Sequence, residues 1–378
     1  MRSDIAMVTD SVKDKLRRMG VTLEYANGGT FPQFAAAHVN DKILLLADRN
    51  TRKYAEGVAL FDTHMCLIDE DEPVPDEKVC ERAVEGAKEC DYVLAVGSGT
   101  LNDTAKHAAL MTGKKSGVFA TAPSMDGYAS PVAAVMKKGF KVSEAAHVPS
   151  DILVDPAILA DAPQQMIAAG AGDILGKYTC LTDWRLAHYH TGEAVNEEAF
   201  SDMLDAVQKF AASVDDIAHR EKSGVEKLTD ALIISGLAMA EAGNSRPASG
   251  AEHHISHYLE MWFVAQKKRV PLHGIKVGLG TLVSAYLYEA LERDGVTFKG
   301  DVQTYLAAKA IPSVQNLRAT LEKLGAPVRF SALGISRELF RETIARAHTV
   351  RPRYTILTLL EELGLTEHYV PQLEDAFY

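Results

Sequence analysis

Four histidines crowd one stretch of the chain. His253, His254 and His257 lie in ASGAEHHISHYLEM and His273 in PLHGIKVGLG, within 21 positions of a sequence that holds 13 histidines in all. Imidazole is the commonest side-chain ligand for Zn²⁺, Ni²⁺ and Fe²⁺. On a helix, residues 253 and 257 stand four apart and share a face. A catalytic metal site takes about three protein ligands and keeps one position open, and two imidazoles with a carboxylate would satisfy it. The chain offers many carboxylates. Asp173, in AAGAGDILGKY, is the most suggestive, because it follows a small-residue stretch inside an apolar segment, where an unpaired carboxylate is costly. The pattern admits either a metal centre or histidines satisfied by the core or by solvent.

A second group of residues suits phosphate and ribose. Val93–Val96 followed by Gly97-Ser98-Gly99-Thr100-Leu101-Asn102-Asp103 reads as a strand, a glycine turn and a helix start. Glycines let backbone approach a phosphate, and the new helix presents unpaired N–H groups at its positive end. The spacing falls short of G-x-G-x-x-G because position 102 is Asn, so a tight turn with no ligand remains an alternative. Asp103 would cap that helix or touch a ribose or nicotinamide. Asp48, at the end of an apolar run, would accept from an adenosine ribose hydroxyl or cap the next helix. The loop ATAPSMDGYASP (120–131) carries Ser124, Asp126 and Ser130 after another strand, where an α/β domain lines its ligand crevice. In GNSRPASG (243–250), Arg246 is a fixed cation among small residues, suited to an anion such as phosphate or to a surface salt bridge.

The elements that must hold these residues follow from hydrophobic periodicity. KILLLADR (42–49), CLID (66–69), DYVLAVGSGT (91–100), SGVFATAP (116–123) and DILVDPAIL (151–159) read as strands. A stretch from Thr51, PDEKVCERAVEGAKEC (75–90) and LNDTAKHAALM (101–111) read as helices between them. This alternation predicts a parallel sheet covered by helices on both faces. Residues 132–146 suggest a hairpin turning at Lys138-Gly139. Past Pro163 the character changes. Helix-patterned segments cover 163–190, 194–221, 225–243, 250–267, 277–293, 301–324, 335–348 and 353–363. The expected fold is an α/β Rossmann-like domain over 1–160 and an all-α domain over 161–378, with ligands in the cleft between them.

Composition narrows the function classes. The chain has 378 residues, 47% hydrophobic and 24% charged, with a formal net charge of −11. These values exclude a disordered chain and argue against a general nucleic-acid binder, which needs a basic face. An anionic small substrate remains compatible if a local cationic pocket receives it. Cys66, Cys80, Cys90 and Cys180 form no CxxC pair and read as free thiols of a reducing compartment. The first residues, MRSDIAMVTDSVKDKLRRMG, hold no apolar core of a signal peptide, and no apolar run reaches the roughly 18 residues of a membrane span. A cytoplasmic enzyme is the expectation.

Five strings taken together carry a resemblance. VGSGTLNDTAKHAA (96–109), ATAPSMDGYASPV (120–132), AAGAGDILGKYTCLTDWRLAH (168–188), NSRPASGAEHHISHYLEM (244–261) and LHGIKVGLGT (272–281) resemble sn-glycerol-1-phosphate dehydrogenases, the bacterial branch above all. That family sits in the iron-containing alcohol dehydrogenase and dehydroquinate synthase-like superfamily. The resemblance spans about residues 25–290, and SMDG and SRPASGAEH are its most specific pieces.

The resemblance implies Asp173, His253 and His273 as ligands of one divalent metal ion, Ni²⁺ or Zn²⁺ ahead of Fe²⁺. It implies Asp126, Asp173 and His257 at the substrate, with Asp126 and His257 catalytic. It implies Gly97, Ser98, Gly99, Thr100, Leu101, Thr121, Ala122, Pro123, Ser124 and Ser130 at NAD(H) or NADP(H), joined by Asp48 and Asp103. An acid at Asp48 favours NADH, because it repels a 2′-phosphate. Arg246 and Lys177 are the candidate cations for a substrate phosphate. The implied reaction is reversible reduction of dihydroxyacetone phosphate to sn-glycerol 1-phosphate by a homodimer, for lipid synthesis. Its rivals are a glycerol or polyol dehydrogenase and a dehydroquinate synthase-like lyase. Two departures stand out against archaeal members: the 20-residue step from His253 to His273, with MWFVAQKKRV inserted, and Ile275-Lys276 where Glu-Gln is more usual.

Overall fold

The computed structural model describes residues 10–58, 62–70, 73–137 and 140–378. In chain order the first stretch holds α1 (Asp10–Arg18), β1 (Thr22–Tyr25), α2 (Pro32–Ala37), β2 (Lys42–Asp48), α3 (Arg52–Gly57), β3 (Asp62–Ile68) and α4 (Glu77–Ala87). It continues with β4 (Tyr92–Gly97), α5 (Gly99–Thr112), β5 (Lys115–Ala120), β6 (Val132–Lys137), β7 (Phe140–Ala145), β8 (Asp151–Val154) and α6 (Pro156–Ala160). Then come α7 (Gln164–Thr191), α8 (Glu197–Ala211), α9 (Val214–Ala218), α10 (Lys222–Ala242), α11 (Ala251–Ala265) and α12 (His273–Arg293). The chain closes with α13 (Asp301–Ala308), α14 (Val314–Lys323), α15 (Arg337–Arg346), α16 (Ile356–Glu362) and α17 (Thr366–Phe377).

Packing divides the chain into two units. The first runs to Pro163 and also takes in His219–Ala240; the second comprises Gln164–Ala218 and Glu241–Tyr378. The segment 219–240 thus packs in the same unit as the sheet. Its contacts give the reason. Gly236 touches backbone, since a Cβ there would stand 2.7 Å from the carbonyl carbon of Ala129. The Tyr25 hydroxyl donates to Asp230, and Arg220 donates to the carbonyl of Ala162 at 2.8 Å. A helical pattern in the sequence carries no mark of which unit the helix joins.

The first unit is built on a six-stranded sheet of order β1-β8-β5-β4-β2-β3, with every neighbouring pair parallel. The five interior residues of β2 are buried, as expected of a strand covered on both faces. Ile43, Leu45 and Ala47 share one core with Phe34, Leu94, Val96, Phe119 and Leu153. β6 and β7 form the expected antiparallel pair; the Lys138-Gly139 turn lies outside the described residues. The strand at CLID begins earlier, at Asp62, and the last strand ends at Val154, where Asp155 caps α6 and Pro156 opens it. All four cysteines are buried and free.

In the second unit α7 is buried nearly all round and forms its central helix. Two expected long helices are each divided. The 194–221 segment breaks into α8 and α9 around the buried Ser213. The 301–324 segment breaks at Pro312, after which Ser313 caps α14 by accepting from the Asn316 amide. The first five residues of MWFVAQKKRV continue α11 to Ala265, and the last five form the turn and loop toward α12.

Asp183 of α7 ties this unit together. Fully buried, its carboxylate accepts from the Ala251 amide at 2.7 Å, the Ile356 amide at 2.8 Å and the Tyr288 hydroxyl at 2.7 Å. It thereby anchors the N-termini of α11 and α16 and the flank of α12, at helix ends that favour negative charge. Burial, with Glu252 nearby, pushes the Asp183 carboxyl up to about 7. Asp183→Ala leaves two amides and a hydroxyl buried without an acceptor, and is expected to cost about 3–5 kcal/mol. Thermal denaturation of the variant checks this, and an unaltered Tm would refute the anchoring role.

Candidate active site

The parallel sheet places one crevice. From β2 the chain moves outward to β3 and then returns to β4 on the other side of β2, so the C-terminal ends of β2 and β4 flank a switch of direction. Ligands of such sheets bind at that point. Asp48 ends β2 and Gly97 ends β4. Asp48 Oδ1 accepts from the amides of Asn50 and Thr51 at 2.8 and 2.9 Å, the capping role weighed against ribose binding.

Ser98 occupies the N-cap position of α5, but its hydroxyl makes no capping bond. It reaches instead to the Ser124 hydroxyl, the Tyr128 hydroxyl at 3.2 Å and the Ala122 carbonyl. The first-turn amides of α5 therefore receive no bond from the N-cap side chain, which suits a phosphate acceptor. The glycines fit closely: a Cβ on Gly97 would lie 2.2 Å from Leu101 Cδ1, and one on Gly99 would lie 3.3 Å from Met125 Cγ. Thr121 donates its amide to the Gly97 carbonyl at 3.1 Å, which brings the 121–124 segment beside the turn. Thr100 donates to the Pro73 carbonyl, while Leu101, Pro123 and Ser130 are part-buried or buried around the same loops. Asp103 lies past the helix start, 3.9 Å from Lys106 Nζ, so it is no cap.

Sequence reasoning missed what pins the 121–131 loop. Lys106, fully buried on α5, donates to the carbonyls of Gly127 at 2.6 Å and Val132 at 3.1 Å. Asn102 donates to the Gly127 carbonyl as well, at 3.1 Å. Burial lowers the Lys106 pKa to about 8 against the pull of Asp103 and Asp126. A lysine set among Ala105, Ala108 and Ala109 is the signal that could have revealed it. Asp126 accepts from the Ser235 hydroxyl of α10 at 2.9 Å, which orients its carboxylate.

The second unit brings together the residues of the metal reading. α7 and α12 meet backbone to backbone: a Cβ on Gly274 would stand 1.8 Å from the Ala169 carbonyl oxygen, and one on Gly172 would stand 2.3 Å from the Gly274 oxygen. Gly280 approaches the Glu252 carbonyl of α11 in the same way. Small residues allow this approach, and helices with larger side chains at the contact stay about 8–10 Å apart axis to axis. As a result one donor atom each from Asp173, His253 and His273 lies within 4.8 Å of the others. Asp173 Oδ1 is 3.6 Å from His253 Nε2. Donors around one tetrahedral ion with bonds of about 2.0–2.1 Å stand about 3.3 Å apart, so this carboxylate and two imidazoles fit a divalent metal. The His257 ring completes the group, 6.1 Å from the His253 ring and 5.9 Å from the His273 ring.

Glu252, which the sequence reading carried only as part of SRPASGAEH with no role, orients this group. Fully buried, it accepts from the Gly250 amide at 2.6 Å and the Thr179 hydroxyl at 2.7 Å, and its Oε1 lies 2.9 Å from His253 Nδ1. The His253 Nδ1–H donates to Glu252, so Nε2 carries its lone pair toward Asp173. Burial nonetheless pushes the Glu252 carboxyl up. The two cations expected at a phosphate are both committed to protein partners. Lys177 donates to Asp173 Oδ1 and to the Ala248 carbonyl, each at 3.0 Å. Arg246 embraces the Glu193 carboxylate and donates to the Tyr354 carbonyl at 2.9 Å, clamping the turn at 246–248.

Known proteins agree with this architecture. A family model described as iron-containing alcohol dehydrogenase matches residues 27–163. The crystal structure of a probable glycerol dehydrogenase from Sinorhizobium meliloti covers 94% of this chain and 97% of its own, with a TM-score of 0.72 at 20% identity. Maleylacetate reductase from Rhizobium covers 94% of this chain and 96% of its own, with a TM-score of 0.67 at 16% identity. The chain shares the fold of these solved structures. Among relatives by sequence, glycerol-1-phosphate dehydrogenase (NAD(P)+) of Bacillus licheniformis is 37% identical over 77% of this chain and 73% of the relative. The enzyme of that name from Halalkalibacterium halodurans is 35% identical over 85% of this chain and 86% of its own, and that from Pyrococcus furiosus 36% over 79% and 78%. The chain belongs to the glycerol-1-phosphate dehydrogenase family.

Two expectations follow from the geometry. Glu252→Gln disturbs the acceptor of His253 Nδ1–H and should weaken divalent metal binding by about 10–100-fold. Competition with a chelator reads this, and equal affinity in the variant would remove the orienting role. Gly99→Val places branched carbon against Met125 at the head of α5 and should weaken NADH binding while leaving metal content intact. An unchanged NADH dissociation constant would count against the crevice.

Proposed function

We propose that this protein catalyses the reversible NAD(P)H-linked reduction of dihydroxyacetone phosphate to sn-glycerol 1-phosphate, supplying glycerophospholipid or ether-lipid synthesis. The observation that carries the reading is the Asp173, His253 and His273 cluster, faced by His257, in a chain 35% identical over 85% of its length to a glycerol-1-phosphate dehydrogenase. A divalent ion held by these three residues, Ni²⁺ or Zn²⁺ ahead of Fe²⁺, would supply Lewis-acid polarisation of a substrate oxygen, and the nicotinamide would supply hydride.

The protein's own residues do the rest. Glu252 holds the His253 tautomer, and Lys177 is the countercharge of Asp173. His257, half-buried beside both imidazole ligands, is the group that carries a proton to or from the C2 oxygen of the substrate. Asp126, oriented by Ser235, holds a substrate hydroxyl and so helps select the face that receives hydride. The amides and hydroxyls of Gly97–Leu101, Thr121–Ser124 and Ser130 bind the dinucleotide, with Asp103 on its nicotinamide side. Asp48 keeps Oδ2 for the adenosine ribose and disfavours a 2′-phosphate, hence NADH over NADPH. No helix among the described residues is long and apolar enough to cross a membrane. A cytoplasmic homodimer is the assembly and location we assign.

Elemental analysis joined to an NADH oxidation assay tests the proposal. Purified protein should carry one divalent ion per chain and oxidise NADH with dihydroxyacetone phosphate far faster than with dihydroxyacetone. His253→Ala should lose both ion and turnover. Preference for the unphosphorylated ketone would make the protein a polyol dehydrogenase, and stoichiometric metal in the variant would remove His253 from the ligand set.

A further inference from the structure

A phosphorylated substrate needs a cation, and Lys177 and Arg246 are both spoken for. Three further cations of the second unit are tied to α11 or to the loop before it: Arg353, Lys276 and Arg351. Arg353 donates to the Ser245 hydroxyl at 2.7 Å and the Ser249 carbonyl at 3.4 Å. Lys276, fully buried on α12, donates to the Pro271 carbonyl at 3.1 Å and reaches Glu260 at 3.3 Å. Arg351 differs. It is half-buried, yet its guanidinium makes no hydrogen bond or ion pair with any described residue.

Its place is set by its neighbours. The 3₁₀ turn Ala347–Thr349 packs on α11 and leads directly into Arg351, while Arg353 fastens the following residues to the loop before α11. Arg351 interacts electrostatically with His254 and with Glu260. Those two residues lie about one turn before and one turn after His257 on the same helix. With the 3₁₀ turn that leads into it packed on α11, Arg351 lies near the stretch of α11 that presents His257. His257 and His273 are themselves only half-buried, so this stretch is open to a small molecule.

Charge points the same way. Glu260 is the carboxylate that faces Arg351, and it already faces Lys276. Burial holds the Arg351 pKa below its ordinary value, while its guanidinium keeps contact with solvent and so stays accessible to an anion. A phosphate dianion would meet the planar fork in two parallel charge-assisted bonds.

Building on the reading that the substrate is a triose phosphate, we infer that Arg351 is the residue that grips its phosphate, holding the substrate chain along α11 with the carbonyl end toward His257. The guanidinium then selects phosphorylated over plain polyols, and it comes from a part of the chain that carries no recognisable motif.

Arg351→Ala tests this in the metal-loaded enzyme. It should raise KM for dihydroxyacetone phosphate about 10–100-fold, with a much smaller change in kcat. Calorimetry should show inorganic phosphate binding to wild type and lost by a similar factor in the variant, with the NADH dissociation constant unchanged. Arg351→Lys should recover part of the phosphate affinity, and melting curves confirm that both variants fold. Equal phosphate binding in wild type and Arg351→Ala, or a loss that falls on NADH instead, would overturn the assignment. A wild type that binds phosphate but does not reduce dihydroxyacetone phosphate would sink the proposed reaction alone, since the calorimetry reads Arg351 independently of turnover.

Discussion

Three helix backbones in the second unit touch where Gly172, Gly274 and Gly280 leave no side chain between them. Any methyl group at Gly274 would collide with the Ala169 carbonyl. Everything chemical in this unit depends on that contact. Asp173 follows Gly172, His273 precedes Gly274, and the Glu252 backbone that Gly280 touches leads into His253. Side chains short enough to meet at one ion can do so only when the helices carrying them approach more closely than ordinary ridge-into-groove packing allows.

Such closeness has an electrostatic consequence. Asp173, Asp183 and Glu252 are all carboxylates removed from water, the first two on α7 and the third at the start of α11. Buried charge is tolerable only when paired or amply hydrogen-bonded. The unit answers with Lys177 on Asp173, two amides and a hydroxyl on Asp183, and an amide, a hydroxyl and an imidazole on Glu252. The same bonds that make burial tolerable also fix directions. His253 receives its tautomer from Glu252, and the start of α11 receives its position from Asp183. Stability and preorganisation are here one set of hydrogen bonds. The net charge of −11 is no obstacle to an anionic substrate under these conditions, because the acids near the cluster are compensated within the protein.

Much of this was legible in advance. The parallel sheet, the glycine turn at 97–99 and the helical second half follow from local patterns of apolar residues, glycine and proline, which act over a few neighbours. Asp173, His253 and His273 were nameable through motif resemblance, and the structure brings their donor atoms together. Less visible were the residues that act through long sequence separation. Lys106 holds a loop more than twenty positions ahead, Asp183 caps helices 68 and 173 positions away, and Arg246 is consumed by Glu193 and Tyr354. A lysine or arginine in a string of small residues declares that it needs a partner, but not which one.

By itself, the sequence determined element types, the glycine turn at 97–99, the candidate ligand residues and the family, because these rest on local propensity and on residues quoted in order. Only the tertiary structure decided which helices touch, that α10 packs with the sheet, which oxygen faces which imidazole nitrogen, and which cations are spent on the protein itself. Those outcomes depend on steric contact and on competition among acceptors in three dimensions, and neither is written in the spacing of residues along the chain.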